Sequence, residues 1–184
     1  MFSPPGAYTF PNRRRELCEM TNRIGKVHKT CVLIGGGMGV LSGIAVAVTV
    51  GSPLPVLRLW GADALLPPLW ILGILWLAGY ALLGGAAGYA LGCPGGGENG
   101  GASLWRGLTF LVVEVTFSFA WYSLSFGSHL MLPGWLCLVA GVAAGGLCVV
   151  AWWRGYRGAA ILCGGGTLWL FYVTLCHLFV ILHN

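Results

Sequence analysis

PPLWILGILWLAGYALLGGAAGYALG, residues 67–92, is apolar over its whole length, opens on two prolines, and carries Trp70, Trp76, Tyr80 and Tyr89. It is long enough to cross a bilayer, whose core takes about 20 mostly apolar residues per helix. A span needs no tryptophan to be apolar, so the aromatics have to be explained separately.

The whole chain shares this character. Of its 184 residues 57% are hydrophobic and 8% charged, with a mean hydropathy of +0.81, whereas water-soluble domains carry about 25% charged residues. Four further stretches qualify as spans beside Pro68–Gly92: Cys31–Gly51, Trp105–Phe126, Leu130–Trp153 and Gly158–Leu182. Inside lipid the backbone must satisfy its own hydrogen bonds, so each is read as a helix. The expectation is an all-α integral membrane protein: a basic N-terminal arm over residues 1–30, then a five-transmembrane-helix bundle over residues 31–184.

Charge sets the orientation. With the N-terminus inside, the inner segments hold Arg13, Arg14, Arg15, Arg23, Lys26, Lys29, Arg106, Arg154 and Arg157, against Arg58 alone outside. This is a strong positive-inside bias. The net charge of +5 is therefore assigned to orientation and to anionic lipid headgroups, not to nucleic acid. Some thirty residues precede the first span, which also exceeds a usual signal-peptide core in length, so no cleaved leader is expected.

The connecting segments carry little chemistry. Loop one, residues 52–67, mixes prolines with Leu54, Val56, Leu57, Leu59 and Trp60 and is expected to lie on the membrane surface or over the mouth of the bundle. CPGGGENGGAS (93–103) has no preceding strand and no Lys-Ser/Thr pair, so it is read as a linker, not a phosphate cradle. The seven cysteines show no metal-ligand spacing and are expected to be reduced packing residues.

Glycine spacing is informative. Gly35, Gly39 and Gly43 recur every fourth residue, as do Gly84, Gly88 and Gly92, and Gly141 with Gly145. Small residues four apart let helices approach closely in lipid. Such faces are expected to close the bundle or to form a dimer.

At 100° per residue Gly73, Trp76, Tyr80, Gly84 and Ala87 share one face of the second helix, with Trp76 and Tyr80 deeper than an interfacial belt would place them. Glu114, Ser118, Trp121 and Ser125 form a matching stripe on the third. Intramembrane carboxyl groups are costly and face a bundle interior or a wet cavity, which makes Glu114 either a polar or proton site or a hydrogen-bonded packing group. Depth counting at about 1.5 Å per residue places Trp76, Tyr80, Trp121, Trp135, Trp169 and His177 in the outer half or near the middle, with Glu114 further down. Several indoles are thus expected to converge on one chamber below loop one. His177 lacks a second ligand at a fitting spacing, and no metal site is assigned.

The run Pro67-Pro68-x-Trp70-x-Leu72-Gly73-x-x-Trp76-x-x-x-Tyr80-x-x-x-Gly84 resembles the second helix of the translocator protein family, also called tryptophan-rich sensory protein or peripheral benzodiazepine receptor. Trp121 with Phe126-Gly127 resembles the end of that family's third helix, Gly134-Trp135 the opening of its fourth, Ala151-Trp152-Trp153 the end of its fourth, and Trp169 the tryptophan of its fifth. Ser118 and His177 stand where the family has Asn, Glu114 where a Gln is often found, and Gly165-Gly166 replace Pro-Tyr. The C-terminal Tyr and Arg of the proposed cholesterol motif are missing, which marks a diverged member.

The resemblance implies a homodimeric multi-pass protein, in the mitochondrial outer membrane if eukaryotic. It would bind or transport hydrophobic planar ligands such as porphyrins, sterols and isoquinoline-type drugs. Trp76, Tyr80, Trp121, Trp135 and Trp169 would form the walls, with Leu72, Gly73 and Val173 beside them and Ser118 and His177 as polar contacts. No cofactor is required; a porphyrin or haem enters as a candidate ligand. The alternatives are an enzyme that degrades bound tetrapyrrole, for which no nucleophile-base pair or redox motif is found, and a structural or partner-binding membrane protein with a vestigial cavity.

Overall fold

A computed structural model describes residues 12–50, 69–93 and 100–183, with side chains over 28–49, 70–93 and 100–183. Loop one, most of the 93–103 linker and the start of the arm lie outside the described residues, as do Pro67 and Pro68. Five helices account for nearly all of the rest: α1 (Asn12–Val50), α2 (Leu69–Gly92), α3 (Gly100–Tyr122), α4 (Met131–Trp152) and α5 (Arg157–His183). Each contains a stretch long and apolar enough to cross a membrane: His28–Thr49, Trp70–Gly92, Gly100–Gly127, Met131–Trp152 and Arg157–His183. The backbone of the arm is helical from Asn12 and continuous with the first span. α3 starts at Gly100, inside the segment read as a linker.

Packing follows the order α1, α2, α5, α4, α3 around the bundle. The first two helices meet as backbones. A Cβ on Gly35 would strike the carbonyl oxygen of Gly84, one on Gly39 that of Tyr80, and one on Gly88 that of Cys31. The two glycine runs quoted above are thus the two halves of one interface within the chain. On α4, Gly141 faces Leu170 and Phe117, while Gly145 lies against the Glu114 carboxyl and the Thr167 hydroxyl. These glycine runs are occupied within the chain and are not left over as a dimer face.

α3 ends in a π-helical turn, Ser123–Gly127, in which the Ser128 N–H donates to the Ser123 carbonyl at 3.1 Å. His129 then takes the left-handed conformation (φ 57°), and the Leu130 N–H closes back on the Leu124 carbonyl at 2.8 Å. α4 follows at once, with Pro133 in its first turn, where a missing N–H leaves no helical bond unmade. At the opposite end the Tyr156 hydroxyl donates to the Gly100 carbonyl at 3.2 Å and Ser103 to the Ala151 carbonyl at 2.6 Å, tying the start of α3 to the α4–α5 turn.

The tryptophans divide by direction. Trp70, Trp105 and Trp153, near helix ends, are exposed at 69%, 68% and 53%, as befits rings at the two membrane–water interfaces. Trp121 and Trp152 are buried, each in a separate core. The inner-half core gathers Trp152, Leu111, Cys148 and Cys163; the outer-half core gathers Trp121, Tyr122, Leu138, Leu170 and Val46, with Trp76 packed against it.

Candidate functional site

α2 and α3 scarcely touch through their backbones. Aromatic rings join them instead. The Trp76 ring lies 5.1 Å from Tyr80, 5.5 Å from Trp121 and 5.2 Å from Tyr122, all in tilted or edge-on geometry. Aromatic quadrupoles favour such arrangements over face-to-face sandwiches. The Tyr80 ring also meets Phe119 at 5.9 Å and packs against Gly43 of α1, while its hydroxyl and that of Ser118 are hydrogen-bonded at 3.1 Å. Val46 of α1 is buried against Trp121 and Tyr122.

Trp121 connects this group to α5 and α4. Its indole N–H donates to His177 Nδ1 at 3.2 Å, and His177 Nε2 bonds the Met131 carbonyl at 3.1 Å. An indole nitrogen only donates and a carbonyl oxygen only accepts. His177 is therefore the neutral tautomer with its proton on Nε2, and both of its nitrogens are engaged within the protein.

The remaining expected wall residues are placed differently. Trp169 packs against Gly79 of α2 and stacks on Tyr172 at 5.6 Å, without ring contact to Trp76 or Trp121. Trp135 is half-buried near the start of α4 and likewise makes no ring contact with the pair. Val173 packs against the outer core; Leu72 is half-buried, and Gly73 is exposed with no neighbour near its Cβ position. The indole N–H groups of Trp76, Trp135 and Trp169 are all buried without a hydrogen-bond partner, and so is the Ser125 hydroxyl. Buried donors are nearly always satisfied, and each orphan costs about 1–3 kcal/mol.

Glu114 stands apart from this cluster. Fully buried in the inner half, it bonds the Thr167 hydroxyl at 2.8 Å, and the Cys163 thiol lies 3.7 Å from its other oxygen. These contacts clip α3 to α5 across Gly145 of α4. Among the described residues no three His, Cys, Asp or Glu side chains gather as a metal site would require.

Tyr122, Phe119 and Phe126 belong to the ring cluster although sequence reasoning did not select them as wall residues. Tyr122 and Phe126 lie at helical spacing, which the contact of their rings at 4.9 Å reflects. That spacing was the available signal.

Five membrane-crossing helices joined in their outer half by a cluster of indoles and phenols define a multi-pass membrane protein of the ligand-binding type. The TspO/MBR family model matches residues 31–182, and the chain belongs to that family. No curated protein and no solved structure is similar enough to the chain to count as a match.

Proposed function

We propose that the protein binds a flat, hydrophobic small molecule bearing a hydrogen-bond acceptor, of the porphyrin or sterol kind, against the aromatic cluster between α2 and α3. Trp76 carries this reading. Its ring touches three others while its N–H is buried without a partner, so a ligand offering an acceptor there would gain both ring contact and a donor already stripped of water. Trp135 and Trp169 offer two further donors of the same kind from α4 and α5. The same reading takes the protein as a homodimer, in the mitochondrial outer membrane if the host is eukaryotic.

The test is a titration of purified protein with a porphyrin, a sterol and an isoquinoline drug, followed by tryptophan fluorescence. Trp76→Phe retains a ring and removes the donor, and should weaken binding roughly three- to tenfold. Trp76→Ala removes both and should weaken it further. Equal affinity across wild type and both variants would refute the site.

A further inference from the structure

We propose that His177 is the positioning residue for the Trp121 indole, and that uptake of a proton by His177 releases that indole from the wall of the cluster. The functional consequence rests on the ligand-binding reading above.

The argument is one of donors and acceptors. Trp121 is 5% exposed and His177 6% exposed, so neither has water to replace a lost partner. The indole reaches His177 Nδ1 at 3.2 Å, with ring centroids 6.3 Å apart and nearly perpendicular. His177 is itself anchored through Nε2 to the Met131 carbonyl at the start of α4. Imidazolium carries a proton on both nitrogens. A second proton has to go to Nδ1, where it would point at the indole N–H and turn an attraction into a clash of two donors. The Met131 bond survives the change, because Nε2 stays protonated. The ring therefore remains fixed and the indole has to move. Trp121 is in contact with Trp76, Tyr122 and Phe126, so its displacement alters the surface that a planar ligand would meet.

In the same half of the bundle the titratable groups are Tyr80 on α2, Tyr122 on α3, His129 in the α3–α4 turn, Cys137 on α4, and Cys176, Tyr172 and His183 on α5. The outer part of α1 has none. Glu114 is occupied with Thr167 in the inner half, and Arg106, Arg154 and Arg157 stand at the inner ends. Loop one, with Arg58 and Asp63, lies outside the described residues.

The experiment uses full-length protein in nanodiscs, labelled with ¹⁵N at its indoles, the Trp121 resonance being assigned by its loss in Trp121→Phe. Without ligand, that resonance should move in a single titration as the pH is lowered from about 8 to about 4. His177→Asn, whose carbonyl can accept from Trp121 and whose amide can donate to Met131, should hold the resonance near its high-pH position at every pH. His177→Leu should leave it displaced throughout. Affinity for a fluorescent sterol, which does not itself titrate, should be roughly three- to tenfold higher at pH 8 than at the low-pH end of that titration, and flat in His177→Asn.

A Trp121 resonance indifferent to pH, or a titration that persists in His177→Asn, overturns the proposal. Failure of every ligand to bind at any pH defeats the ligand-binding reading alone, since the ligand-free titration still decides the role of His177.

Discussion

The Thr167 hydroxyl sits 2.8 Å from Glu114 Oε1 and 3.0 Å from the Cys163 carbonyl, so one hydroxyl proton faces two acceptors. A protonated carboxyl removes the shortage. In that form its O–H would donate to Thr167, leaving Thr167 to donate to the Cys163 carbonyl and the Cys163 thiol to serve the second carboxyl oxygen. Glu114→Gln offers the same donor and acceptor and should leave thermal unfolding in detergent nearly unchanged. Glu114→Ala should cost about 2–4 kcal/mol, by opening a void and stranding the groups around it. Equal damage from both variants would show that a charge is required there.

Gly84 faces the Gly35 carbonyl so closely that any side chain must push α1 away from α2. Gly84→Ala should therefore destabilise the bundle by about 1–3 kcal/mol, and Gly84→Val by more. Gly37, two residues beyond Gly35 on α1, has no neighbour within 4 Å of its Cβ position. Gly37→Ala should be neutral or slightly stabilising. Unfolding of the three variants in parallel, by SDS titration, separates close approach from a general loss of glycine.

His129 holds a left-handed backbone at the end of the π-helical turn, a conformation in which a Cβ is disfavoured and glycine is the usual occupant. His129→Gly should stabilise the α3–α4 connection by about 0.5–1 kcal/mol. A lower melting temperature in this variant would mean that the imidazole makes a compensating contact.

Hydropathy made the spans legible to within a few residues at most ends, because the demand for an unbroken apolar helix is local and strong. The Glu114, Ser118, Trp121, Ser125 stripe was equally readable, and all four side chains are buried. Helix rotation relative to neighbours was harder. Trp169 has the right depth for the chamber but turns toward Gly79, since its direction depends on how α5 leans on α2. The pairing of Glu114 with Thr167 was missed for a related reason: matching depths along two helices requires their tilt and register, which a single sequence does not contain. The glycine faces could be seen, but their mutual pairing emerged only when α1 was placed against α2.

The second neighbour of α2 is α5, and α3 meets it mainly through aromatic rings. A chain made from its N-terminus would therefore assemble two hairpins, α1 with α2 and α3 with α4, each from segments adjacent in sequence. α5 is the keystone that locks one hairpin to the other, and only on its arrival does Trp121 find His177. On that order the proposed recognition surface would be completed last during biogenesis, and a nascent chain halted before its final span would already be threaded through the lipid without yet presenting it.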